Sequence, residues 1–286
     1  MTRFAADRSP RGLVVARGPD ATTFLQSIVS QDLDPVADGA AVPTLLLTPQ
    51  GKLDVALRAL RVGDDWWLDT DAAYGPRLAA ALTRFRIRVK VELEDRTATT
   101  GLVSLSGIDV EAPAGVRVLP TRWGDVDGSD LLGPQEVVAA ALAALPADVP
   151  RWTAARFEAF RIAAGVPRLG VDVDDATIPQ EAFLERDAVS FTKGCFLGQE
   201  LVCRIDRRGH VNRYLRRLDV SGDSVPPAGA TVVVDGHERG VVTSAAADPD
   251  GHRVVALAMV RREVEPPAEG RVRWDGHDEP VEVRTL

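Results

Sequence analysis

The chain changes character beyond about residue 205, and that change restricts the folds open to it. From Val211 onward, short apolar and β-branched runs at 231–234, 240–243, 254–260 and 271–274 alternate with Asp235-Gly236, Asp250-Gly251 and Asp275-Gly276. Asp-Gly between such runs is a tight-turn signal, and closely spaced short strands bury one face by closing on themselves. The pattern predicts a small β-barrel or sandwich. Residues 221–230, with Pro226-Pro227, read as the loop that enters it, and the boundary is expected near 205–215.

Upstream the pattern is mixed. Residues 13–16 read as a strand, and Asp20 then reads as the side-chain cap of a helix with Phe24, Leu25 and Ile28 on one face. Strands are predicted at 42–48 and 53–62 around Pro49-Gln50-Gly51-Lys52, and at 66–68 after Asp64-Asp65. A helix is predicted at 71–85, then strands at 88–93, 101–106 and 116–120. Pro134 opens a helix with Val138, Leu142 and Leu145 on one face. A second helix at 153–164 has Thr153 as N-cap and Gly165 as stop. Strand pairs with one helix between them indicate α+β layers rather than a doubly wound parallel sheet.

Charge and cysteine content narrow the function classes. With 34 basic and 42 acidic residues the formal charge is −8, and such a field repels nucleic acid and anionic membrane. Neither is expected as a partner. The N-terminal MTRFAADRSPRG lacks an apolar core of a signal peptide, and apolar runs are as short as Leu45-Leu46-Leu47. Two cysteines, Cys195 and Cys203, fit a reducing compartment, so a cytoplasmic location is expected. The four histidines are dispersed, and the cysteine pair alone does not make a zinc or iron–sulfur site. No Walker A, GxGxxG or GxSxG motif is present.

The segment that carries chemistry is Phe191-Thr192-Lys193-Gly194-Cys195-Phe196-Leu197-Gly198-Gln199-Glu200. Gly194 and Gly198 allow backbone to approach a ligand, and the Lys193 ammonium is placed to favour a Cys195 thiolate. Gln199 and Glu200 supply an amide and a carboxylate, groups that read heterocycle edges. The same residues also describe a buried cysteine in a glycine-rich turn between strand and helix, since free cysteine is commonly buried. Glu181 lies in a second polar loop, where a solvated carboxylate at a helix start is the ordinary reading. Arg204, Arg207, Arg208, Arg213, Arg216 and Arg217, set against Asp206, give a net of +5 over residues 204–217. That run is either a place for an anionic tail or a solvated face.

KGCFLGQE resembles the KGC(Y/F)xGQE signature of the YgfZ proteins, relatives of the glycine-cleavage T-protein. The resemblance runs along nearly the whole chain. It includes Gly18-Pro19-Asp20-Ala21, Phe24-Leu25-Gln26, Ser30-Gln31-Asp32 and the Leu45 to Lys52 turn. It continues through Ala163-Ala164-Gly165-Val166-Pro167, Ile178-Pro179-Gln180-Glu181, Gly240 to Ser244 and Ala256 to Arg262. Phe196 stands where tyrosine is common, which loses a hydroxyl and keeps the ring.

The resemblance implies a T-protein-like fold: two α+β subdomains within 1–207, one discontinuous, and a C-terminal β-barrel at 208–286, around a folate channel. It implies tetrahydrofolate or a derivative as cofactor, and a role in making or repairing iron–sulfur proteins, including tRNA-modifying ones. Iron–sulfur proteins or assembly factors are then the expected partners. The family's lysine and cysteine fall on Lys193 and Cys195, and the T-protein's pterin-contacting glutamate on Glu181. Folate contacts are expected from Glu181, Asp54, Lys193, Gly194, Gln199, Glu200 and Arg204. An adjacent acidic pair of the T-protein is reduced here to Asp54, and T-proteins lack the KGC cysteine. Both favour an accessory protein over an aminomethyl or one-carbon transferase, which Asp54 keeps as the alternative; in a strand Asp54 also reads as an outward polar residue. A pure interaction module that docks a protein on the KGC loop is the third reading.

Overall fold

Strands and helices alternate through the first part of the chain as the apolar spacing dictates. In the computed structural model, which describes residues 2–247 and 253–286, β1 (Phe4–Asp7) and β2 (Arg11–Arg17) precede α1 (Ala21–Gln26). Then come β3 (Ala41–Leu47), β4 (Leu53–Val62), β5 (Asp65–Asp71), α2 (Gly75–Phe85) and β6 (Glu92–Asp95). β7 (Thr100–Ser106), β8 (Arg117–Trp123), β9 (Val126–Pro134), α3 (Gln135–Ala144) and β10 (Arg151–Trp152) follow. After α4 (Ala154–Ala163), α5 (Glu185–Ala188) and α6 (Gln199–Arg208) the chain is all strand. These strands are β11 (Arg213–Val220), β12 (Thr231–Val234), β13 (His237–Ala247), β14 (Val254–Arg261), β15 (Ala268–Trp274) and β16 (His277–Arg284).

The chain forms two compact units. One comprises everything up to Arg122, Val126–Trp152 and Leu184–Arg204; the other comprises Trp123–Asp125, Thr153–Phe183 and everything from Ile205 on. The first unit holds two five-stranded sheets, ordered β3-β4-β5-β2-β6 and β10-β1-β7-β9-β8. Leu60 of the first packs with Leu102, Leu119 and Leu132 of the second, all fully buried. Each such side chain contributes roughly 1.5–3 kcal/mol by leaving water. Arg58 of β4 joins the same sheets by charge, donating to Asp69 of β5 at 2.9 Å and to Asp130 of β9 at 2.7 Å. Helix α3 covers Val103, Leu105 and Leu131 with Val138, Leu142 and Leu145, the face its spacing predicts.

In the second unit the six strands β11-β14-β13-β12-β15-β16 close into an antiparallel barrel filled by Leu218, Val232, Val242, Ala256, Val260 and Val272. Asp235-Gly236 and Asp275-Gly276 take positive φ at both residues, the demand of a type I′ hairpin. Asp250-Gly251 lies outside the described residues. Thr153 caps α4 by accepting from Arg156 N at 3.2 Å, and Gly165 follows the helix at φ +72.

Some expectations are corrected. Asp20 precedes α1 without a side-chain cap; its carboxylate accepts from Lys90 N at 2.7 Å. The strand predicted at 88–93 lies at Glu92–Asp95, because Arg88 takes φ +57 and pairing with β2 starts only at Glu92. β1, β9 and β10 were not predicted. VDGSDLLGP carries turn-formers at alternate places, yet Leu131 and Leu132 pair with Val103 and Leu102 across β7.

Candidate functional site

The KGC segment is an irregular loop between α5 and α6, fastened to the first sheet by a lysine. Lys193 Nζ donates to Val29 O and Gln31 O, both at 2.8 Å, and to Gln26 Oε1 at 3.4 Å. Three acceptors use all three ammonium donors. The ammonium also lies 5.5 Å from the centre of the buried Phe196 ring. Burial pulls the amine down to about 8 from an ordinary 10.5, against the opposing pull of Asp32 and Asp34. Ser30 and Gln31 continue the seam: Ser30 Oγ donates to Ala188 O at 2.6 Å, and Gln31 Nε2 donates to Asp187 O at 2.7 Å. Ser190 N donates to Ser30 O at 3.0 Å. The Phe24-Leu25-Gln26 and Ser30-Gln31-Asp32 segments are therefore the seat of the KGC loop.

The start of α6 is set by two glycines from distant motifs. Gly198 has φ +76, and a methyl group there would collide with Thr48 O and Leu47 Cβ. Gly51 has φ +77, and a methyl group there would meet Leu201 Cβ at 2.7 Å and Gly198 O at 2.8 Å. The Pro49 to Lys52 turn and the GQE helix start thus touch backbone to backbone, an approach only glycine allows. Gln199 Oε1 accepts from Phe196 N at 3.3 Å, tightening the loop. Gly194, by contrast, has open space at its Cα and no positive φ; its expected conformational role is taken by Gly198.

These contacts leave Cys195 exposed and Gly194 exposed, with Glu200 and Arg204 exposed on α6. The buried-cysteine reading is overturned. Cys203, on α6, is half-buried, and no disulfide joins it to Cys195. The expectation that Lys193 activates Cys195 meets a competing arrangement, since the ammonium donors point at carbonyls. Asp54 of β4 is not an outward polar residue: it is buried and accepts from Arg77 Nε at 2.6 Å.

Glu181 lies in the second unit, on the single turn Pro179–Glu181. It is 6% exposed, so it is not a solvated carboxylate. Oε2 accepts from Ile178 N at 3.1 Å and from Arg213 Nη2 at 3.2 Å, and Oε1 accepts from Arg213 Nε at 2.9 Å. A carboxylate offers about four acceptor positions, so one remains, on Oε1. The bond to Glu181 raises the affinity of the Arg213 guanidinium for its proton. Two residues on, Phe183 takes φ +58 and stacks on Tyr214 at 5.4 Å, with Arg216 over both rings. Spacing gave no signal for this stack.

The arginine run does not form one cluster. Arg204, Arg207 and Arg208 share α6 at helical-neighbour spacing, whereas Arg213, Arg216 and Arg217 are on β11. Arg213 is committed to Glu181, Arg216 to two rings, and Arg217 to Ala163 O and Asp219. Among the described residues no group of three or more His, Cys, Asp or Glu side chains is placed to hold a metal ion. No described helix is long and apolar enough to cross a membrane.

The fold and the lysine-anchored loop define an aminomethyltransferase-fold protein with an exposed cysteine. The structure superposes on the glycine cleavage system aminomethyltransferase T from Bartonella henselae with a TM-score of 0.86 and 21% identity, covering 99% of this chain and 85% of that one. The tRNA-modifying protein YgfZ of Escherichia coli O157:H7 is 28% identical over 93% of this chain and 87% of its own. The mitochondrial iron–sulfur cluster assembly factor IBA57 homolog of Mycosarcoma maydis is 28% identical over 79% of this chain, which spans 59% of that protein's length. No family model matches the chain. The chain is thus similar along most of its length to proteins named YgfZ, IBA57 homolog and aminomethyltransferase, and shares the fold of the T-protein.

Proposed function

We propose that this chain binds tetrahydrofolate or a derivative and acts as an accessory protein in iron–sulfur cluster assembly or repair, supporting iron–sulfur enzymes that include tRNA-modifying ones. The observation that carries this reading is the KGC loop: Lys193 and Gly198 fix its backbone while Cys195 faces solvent. A thiol held out on a rigid loop suits transient work with a partner's thiol, sulfide or metal better than it suits packing.

The residues fit a reduced pterin chemically. Glu181 keeps one acceptor position for an N–H of a pterin edge, and its other positions are taken by groups that hold it still. Asp54, Lys193, Gly194, Gln199, Glu200 and Arg204 are the further contacts in this reading. Bound folate would supply a one-carbon carrier or a redox-sensitive ring. The transferase reading asks Asp54 to act on a folate nitrogen; its ion pair with Arg77 would have to open first, and this favours the accessory role.

Anaerobic calorimetric titration with tetrahydrofolate tests the proposal. Saturable binding near one equivalent, weakened in Glu181→Gln, is expected. Cys195→Ala should retain the fold and the binding while failing to support an iron–sulfur reporter enzyme. Absence of binding by folded protein would overturn the folate reading, and full reporter activity of Cys195→Ala would overturn the role of the thiol.

A further inference from the structure

The connection between α2 and β6, in the first unit, gathers cations within an acidic chain. Arg84, Arg86, Arg88 and Lys90 fall within seven residues with no acid between them, against a net charge of −8 for the whole. All four are exposed, and Ile87 among them is 71% exposed. Arg84, Arg88 and Lys90 have no ion pair and no side-chain hydrogen bond among the described residues. The nearby acids are already engaged: Asp65 and Glu94 pair with Arg17, and Asp20 accepts from Lys90 N.

The backbone of this connection is held while those side chains are not. Arg86 Nη1 donates to Val91 O at 3.1 Å and closes the loop on itself. Lys90 N donates to Asp20 Oδ2 at 2.7 Å. Gly18 has φ +113 and lies so close that a methyl group there would collide with Lys90 O. A cavity of about 560 Å³ opens between Gly18 and Val89, Lys90 and Val91, with room for a partner's side chain. A loop whose backbone is already ordered pays less of the ordering cost of association.

We propose that loop 84–90 is the docking surface for the iron–sulfur protein that this chain serves, engaging an acidic surface segment of it with Ile87 in an apolar recess. One apolar side chain ringed by cations matches the centre and rim of a protein contact, and the cations steer an acidic partner to it. A nucleic acid backbone would offer phosphates to the cations but only charged oxygens to Ile87, and the net charge opposes its approach. The loop's place suits the task. Asp20, just before α1, holds the basic loop, and Gln26, the last residue of α1, accepts from Lys193 of the KGC loop. The six-residue helix rises about 9 Å, so the two loops are seated at opposite ends of one short element. The inference rests on the accessory role proposed above for the exposed thiol.

The test measures support of an iron–sulfur reporter enzyme against the amount of full-length chain supplied. R88E/K90E and Ile87→Asp should each need about tenfold or more chain to reach the parent's activity, with thermal unfolding and tetrahydrofolate titration unchanged. More chain restores activity to these variants, whereas Cys195→Ala stays inactive at every amount. With benzoylphenylalanine in place of Ile87, irradiation of a purified mixture of the chain, the reporter enzyme and total tRNA should join the chain to the enzyme. The yield should fall at high salt and in R88E/K90E. Equal dose curves for R88E/K90E and the parent, with Cys195→Ala inactive, overturn the docking surface and leave the accessory role standing. No adduct, an adduct to tRNA instead, or a yield indifferent to R88E/K90E also overturns it. Full activity of Cys195→Ala would overturn the accessory role, and the crosslink would still decide the docking surface.

Discussion

At the scale of single residues, Lys193 decides what Cys195 can be. A lysine in water is a mobile charge; here three acceptors hold it, and burial brings its pKa to about 8. The sign of the linkage follows: the charged amine is penalised in full below pH 8, and stability rises as pH climbs from about 8 to the ordinary 10.5. NMR titration of the Lys193 amine should show a midpoint near 8, and a midpoint at the ordinary value would contradict the burial seen. Lys193→Met should leave Val29 O and Gln31 O without their donor and raise amide exchange across 190–198 by about tenfold or more. Unchanged exchange would show that the loop holds itself. The motif made this loop visible in sequence, but not its seat. Lys193 finds its partners 162–167 positions away, beyond the reach of any periodicity.

At the scale of elements, the Asp-Gly pairs marked the barrel hairpins because their chemistry is local: positive φ at two residues is met by few others. β9 escaped notice because VDGSDLLGP reads as turn until a neighbouring strand pairs with it. Glu181 and Asp54 were found as residues and misjudged as environments, since Arg213 and Arg77 lie 32 and 23 positions off. The contact between the 48–51 turn and the start of α6 gives a sharper test. Gly198→Ala puts a side chain at φ +76 against Thr48 O and Leu47. A loss of about 2–4 kcal/mol in urea unfolding is expected, with folate binding disturbed as well. A change below about 0.5 kcal/mol, the usual size for a surface site, would mean the two turns are not in tight contact.

At the scale of the whole molecule, the first unit depends on a charge placed where sheets meet. Arg58 holds Asp69 well below the usual carboxylate range, with Arg11 adding to the effect. That stabilisation is present above the ordinary carboxylate pKa and drains away as pH falls toward the depressed one. Arg58→Met should cost about 3–5 kcal/mol at pH 7 by stranding buried carboxylates, and should lose less than the parent between pH 7 and pH 3. An equal loss in both proteins would remove Asp69 from the account. The long tie from Lys193 to Val29 has one more consequence, in time. Synthesis at about 5–20 residues per second delivers Lys193 roughly 10–30 s after residue 29. Through that interval the carbonyls of Val29 and Gln31 wait without their cation, and the seat of the loop is open to whatever else on the ribosome's surface can donate to it.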